Sequence, residues 1–155
     1  ALPICTSVGT LVRVMERCTL PTGEQLLRVE GGPRIRIAEW LEDAPYPRAR
    51  VEMLDTSPEI NEAALATLTT AVRAVRALQS EMDIDFHSSG PMELATNGEK
   101  RAWQLCAHAP LSALDQFKVL SSNDMTDRMN LVSQICCERY GDYERLLGMD
   151  LPNVE

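Results

Sequence analysis

The sequence predicts an α+β fold, antiparallel strands first and a helical bundle after. Three observations carry this. Up to Leu54, apolar and polar residues alternate in short runs; Gly and Pro clusters separate those runs; and beyond Ser57 the apolar spacing changes to three and four. The organisation expected is a β subdomain over 1–54, an α-helical bundle over 55–150 and a tail over 151–155.

The first strand is read from Val8, Thr10, Val12 and Val14, which alternate with Gly9, Leu11, Arg13 and Met15. Pro21, Thr22 and Gly23 mark a turn. A second strand spans Gln25 to Glu30 and is expected to stop at Gly31, Gly32 and Pro33. A third runs from Arg34 to Trp40, where Ile35 and Ile37 give one apolar face and Arg34 and Arg36 a charged one. After Pro45, Tyr46 and Pro47, the alternation of Ala49, Val51 and Met53 with Arg48, Arg50 and Glu52 gives a fourth.

Ser57 as N-cap and Pro58 at the first helical position begin a long helix, about 35 Å at 1.5 Å per residue. Its apolar stripe is Leu65, Leu68, Val72, Val75 and Met82, with Leu78 or Gln79 between. The segment from Asp83 to Thr96 reads as a weakly ordered connection. A short helix follows Asn97, contributes Trp103 and Cys106, and stops before Pro110. Ser112 and Asp115 form a capping-box-like start for another, containing Leu114, Phe117 and Leu120, and both short helices read as packing elements. Asn123 caps the last helix, whose stripe is Met125, Met129, Val132 and Cys136, continuing from Tyr143 to Leu147, with Gly141 as a point of interruption.

Charge and cysteine usage exclude several classes. The formal net charge is −8, yet seven arginines balance seven acids up to Leu54, so the excess negative charge lies downstream. Such a surface repels phosphate backbones and anionic lipid, which sets aside nucleic acid and membranes as partners. No apolar run approaches the ~18 residues of a membrane span and no signal-peptide pattern opens the chain, so a cytoplasmic location is expected. The five cysteines, Cys5, Cys18, Cys106, Cys136 and Cys137, contain no C-x-x-C pair and read as reduced thiols packed as small hydrophobes. For the adjacent Cys136 and Cys137, helical geometry turns at least one toward the core.

No catalytic, cofactor-binding or metal-binding residue is assigned. A phosphate-wrapping loop ending in Lys and Ser or Thr is absent, and Gly98-Glu99-Lys100 lacks the loop before it. The only histidines, His87 and His108, and the only lysines, Lys100 and Lys118, lie in no recognisable nucleophile context. His87 falls in the polar connection, and His108 sits at a helix end where it can serve terminal carbonyls. Asp83 and Asp85 are not followed by the oxygen ligands of a calcium loop.

Four pieces in order, Val8-Gly9-Thr10-Leu11-Val12-Arg13-Val14, Leu20-Pro21-Thr22-Gly23, Leu27-Arg28-Val29-Glu30-Gly31 and Arg34-Ile35-Arg36-Ile37, resemble the N-terminal domain of Lon-type ATP-dependent proteases. In that family's pattern an aromatic is common where Ile35 stands. The helical half adds Ala102-Trp103-Gln104-Leu105 through Pro110-Leu111, Lys118-Val119-Leu120 and Asp127-Arg128-Met129. The resemblance implies a small β-barrel-like (PUA-like) half joined to a helical bundle, which recognises damaged or degron-bearing polypeptides and does no chemistry. The family's ATPase and Ser-Lys peptidase modules are not in this sequence, and Leu2-Pro3-Ile4 lies too close to Val8 to be its opening strand. The β half is therefore expected to be incomplete, and an intact precursor to carry roughly 50 to 90 residues upstream, within the size of one domain.

The partners expected are unfolded or tagged polypeptides, with an ATP-dependent protease or a second copy of the chain as further candidates. Trp40, Leu41 and Tyr46, at a strand end, are the candidate polypeptide-binding residues; the alternative is that Trp40 and Leu41 seal the barrel against the helices. A structural module, with the Leu65 to Met82 stripe packing on its copy, is the second reading, and intramolecular core is the competing role for that stripe. A small-molecule enzyme without a recognisable motif is the third.

Overall fold

A computed structural model of the chain describes residues 6–54, 59–82 and 92–150. The chain divides into two compact units, 1–55 and 56–155. The expectations at Cys5, Ser57, Pro58, Asp83, Asp85, His87 and the tail lie outside the described residues.

The first unit holds three strands, β1 (Val8–Thr19), β2 (Gln25–Leu41) and β3 (Arg48–Met53), in the order β1-β2-β3 with both pairings antiparallel. Among the described residues the sheet is open. Leu20 to Gly23 turns the first hairpin: the Gly23 N–H donates to the Leu20 carbonyl at 2.9 Å, and Gly23 takes φ +87°, a conformation glycine adopts without strain.

The expected stop at Gly31-Gly32-Pro33 does not occur, and the second and third expected strands are one continuous β2. The ladder accommodates Pro33, which has no N–H to give, by shifting register between Thr10 and Val12, opposite this tripeptide. Gly32 lies so close to β1 that a Cβ there would stand 3.0 Å from the Leu11 carbonyl oxygen.

The second unit holds α1 (Glu62–Glu81), α2 (Gly98–His108), α3 (Ala113–Ser121) and α4 (Met125–Asp150). α1 starts later than expected. Asn61 caps it, its side-chain oxygen accepting from the Ala64 N–H at 3.1 Å. Asn97 caps α2 in the same way, and Ser112 caps α3, accepting from the Asp115 N–H while its hydroxyl donates to the Asp115 carboxylate at 2.6 Å. For α4 the capping side chain is Asp124, not Asn123: Asp124 Oδ1 accepts from the N–H groups of Thr126 and Asp127. Gly141 does not interrupt α4.

The core of this unit joins Leu65, Leu68, Val72 and Val75 of α1 to Met125, Met129, Val132 and Cys136 of α4, with Ala102, Leu105 and Cys106 from α2. The α1 stripe is therefore intramolecular core. From α3 only Val119 is buried, and Leu114 is 64% exposed.

Arg128 is buried at the centre of the α3–α4 junction. Its Nε donates to the Val119 carbonyl at 2.9 Å, its Nη2 to the Ser122 carbonyl at 2.6 Å, and its guanidinium lies 4.3 Å from the Trp103 ring centre. The cation thus meets carbonyls at the C-terminal end of α3, where the helix dipole is negative.

Candidate functional site

The chemistry available to the chain follows from which side chains the sheet leaves open. Partners in an antiparallel ladder share a face. The β2–β3 register pairs Ile35 with Met53, Ile37 with Val51 and Trp40 with Ala49, so these residues make one apolar face. On the opposite face lie Arg36 paired with Glu52, Glu39 with Arg50, and Leu41 with Arg48. Arg50 bridges Glu39 at 2.7 Å, and on the β1–β2 arm Arg28 bridges its partner Glu16 at 3.0 Å. Both pairs are exposed, a setting in which each contributes about 0–1 kcal/mol.

Much of the apolar surface is uncovered. Trp40 is 50% and Met53 53% exposed, with Val51 also exposed. On the β1–β2 arm Val14 pairs with Val29, and both are exposed, as are Met15, Leu26 and Leu27. Isolated exposed apolar residues are ordinary; three on one face of a ladder, Trp40, Val51 and Met53, are of the kind that mark an interaction surface.

Of the three residues selected from the sequence, Trp40 joins this apolar face. Leu41, its neighbour on the strand, points to the opposite face beside Arg48, so the two do not form one platform. Tyr46 lies in the β2–β3 connection and is 64% exposed. Val51 and Met53 carry no mark of binding in the sequence, since their alternation alone reads as a face turned to a core.

In the helical unit, Cys136 and Cys106 are buried and their thiols pushed up to about 12, chiefly by desolvation, while Cys137 is exposed. His108 lies in the last turn of α2, where its own carbonyl accepts from Arg76 Nη1 at 3.5 Å, and burial with the nearby Arg76 charge holds the imidazole below its usual range. Ala66, Thr70 and Ala74 of α1 with Cys136, Cys137 and Tyr140 of α4 line an apolar groove of about 540 Å³. Among the described residues no three of His, Cys, Asp or Glu are grouped to hold a metal, and no helix is long and apolar enough to cross a membrane.

An open antiparallel sheet followed by four helices defines an α+β domain, with Trp40, Val51 and Met53 exposed on one face of the sheet. Residues 5–138 match the family model of the ATP-dependent protease La (LON) substrate-binding domain, and the chain belongs to that family. It is similar to the Lon protease of Desulfovibrio desulfuricans, 30% identical over 132 residues, covering 81% of this chain and 14% of that protein. With the Lon protease of Erwinia amylovora it shares 31% identity over 130 residues, 79% of this chain and 16% of the relative. The match thus spans only 14% to 16% of the length of these curated relatives.

The fold is similar to two solved structures. The N-terminal domain of Mycobacterium avium complex Lon protease superposes with a TM-score of 0.59 at 14% identity, over 88% of this chain and 70% of that one. The Lon N-terminal domain protein from Xanthomonas campestris gives 0.52 at 18% identity, over 82% and 66%. Each match to the curated relatives covers only a small part of a long protease, and the family model is that of the substrate-binding domain.

Proposed function

We propose that the chain is a non-catalytic recognition domain that engages unfolded or degron-bearing polypeptides in the cytoplasm, delivering them to an ATP-dependent protease. The observation that carries this reading is the apolar face of the β2–β3 ladder, where Trp40, Val51 and Met53 are exposed beside half-buried Ile35, Ile37 and Ala49. Non-directional apolar contact suits a binder that must accept many unfolded sequences, because exposed apolar side chains are what unfolded chains have in common. Tyr46 and Leu41 add contact area from the neighbouring connection and the opposite face. The acidic excess beyond the β unit opposes phosphate and favours polypeptide over RNA.

Titration of a fluorescently labelled unfolded protein and a labelled RNA at one fixed salt concentration tests the reading. Micromolar-range binding of the polypeptide and weaker binding of RNA are expected. Trp40→Ala should weaken the polypeptide complex by about 5- to 30-fold, the range of an aromatic anchor. The reverse preference, or an unchanged affinity in folded Trp40→Ala protein, rejects it.

A further inference from the structure

We infer that the junction between α1 and α2 is an acid-sensitive latch, in which a proton taken up at His108 Nδ1 loosens α2 from α1. The inference is independent of the polypeptide-binding reading, since every group in it belongs to the helical unit.

His108 is half-buried in the last turn of α2, and its Nδ1 is enclosed, with no hydrogen-bond partner among the described residues. A neutral imidazole carries one N–H, so the favoured tautomer leaves the enclosed Nδ1 bare and places the proton on Nε2. A second proton has to go to Nδ1, where the new N–H finds no acceptor and the ring becomes a cation. The chain on either side gives little room for adjustment. Leu105 and Cys106 before His108, and Ala109 and Leu111 after it, are all buried in the core, so a ring that turns out to water pulls on packed neighbours.

The C-terminal end of a helix ordinarily welcomes a cation, because its last carbonyls are unpaired and its dipole is negative there. Here that place is taken: Arg76 Nη1 of α1 donates to the His108 carbonyl at 3.5 Å. Arg76 is thus both a tie between the two helices and a like charge beside a protonated His108. The charged residues of α2 itself, Glu99, Lys100 and Arg101, lie at the opposite end of the helix, and no carboxylate of α3 or α4 bears on the ring among the described residues. Burial first, and Arg76 second, therefore hold His108 below its ordinary value. With the folded value depressed, the stability concerned is present above the unfolded value of about 6.5 and is lost as pH falls through the folded one.

The test uses the 155-residue chain, which has two histidines. In a His87→Gln background NMR follows His108 alone: it should titrate below its value in the urea-unfolded chain, and Arg76→Gln should move it upward. Titration at or above the unfolded value overturns the inference. Urea unfolding is read by Trp103 emission in a Trp40→Phe background at about pH 7.5 and about pH 5.5, on either side of the ordinary imidazole value. The parent should lose more stability on acidification than His108→Gln does, and equal losses overturn the inference as well. Hydrogen exchange at the same two pH values, corrected for intrinsic rates, should show opening of α2 rising at the lower pH in the parent and not in His108→Gln. An acid effect spread evenly over α1, α2 and α4 contradicts a latch at this junction. Should His108→Gln fail to fold, the NMR titration in the His87→Gln chain decides alone.

Discussion

Replacing Arg128 with Ala should unfold the helical unit far more readily than an ordinary substitution does. Arg128 is 0% exposed, and its guanidinium supplies a hydrogen bond to the Val119 carbonyl and another to the Ser122 carbonyl, both charge-assisted. Leaving buried acceptors without this donor costs about 1–3 kcal/mol each. Loss of the contact with the Trp103 ring adds about 1 kcal/mol, and the vacated volume adds a cavity term. Relief of the buried cation's desolvation offsets part of this, so the expected net loss is about 3–5 kcal/mol. That is a large share of the roughly 5–15 kcal/mol typical of a domain. Arg128→Met keeps the stem volume and removes the charge, and should lose roughly 1–2 kcal/mol less than Arg128→Ala. Arg128→Lys keeps a charge but neither the planar fork nor the stacking, and should not restore the loss. Urea unfolding followed by Trp103 emission in a Trp40→Phe background reads the helical unit alone, since the chain has two tryptophans. Arg128→Ala unfolding within about 0.5 kcal/mol of the parent would refute this reasoning, because changes that small are typical of surface substitutions.

Asp124→Ala should cost α4 about 1 kcal/mol of capping energy by the same urea measurement. Leu68→Ala, in a fully buried site of α1, should cost about 2–5 kcal/mol. Thiol alkylation read by peptide mass spectrometry should label the exposed Cys18 and Cys137 quickly at neutral pH, and Cys106 and Cys136 only on unfolding. Asp115 is held below its usual value, first by the Ser112 hydroxyl and also by Lys118. Its contribution to stability is therefore present above its unfolded value and is lost as pH falls through the depressed folded one; Ser112→Ala should move its titration upward by NMR.

Local signals with one physical meaning are legible in the sequence. Ser112 followed by Asp115, Asn97 ahead of a short helix, and the stripe from Leu65 to Val75 admit few alternatives, because caps and helical period are set by the backbone itself. Gly31-Gly32-Pro33 misleads as a stop: the tripeptide has the composition of a turn, and only the partner strand shows that a bulge absorbs it. Asn123 and Asp124 are adjacent capping residues, and the choice between them depends on where the chain enters α4. Arg128 carries no sequence mark of burial, since its partners are carbonyls and a ring brought together by tertiary structure. The candidate site is half legible. Trp40 stands out as an aromatic at a strand end, but the alternation of Ile35, Ile37, Val51 and Met53 says which residues share a face and nothing about whether that face is covered.

The most direct measurement of substrate engagement through the sheet is a hydrogen-exchange footprint of the 155-residue chain with and without saturating unfolded polypeptide. The expected result is slowed exchange in the β unit, greatest from Arg48 to Met53 and around Trp40, with α1 and α4 unchanged. Slowed exchange confined to α1 and α4, with the strands unaffected under demonstrated binding, would contradict it.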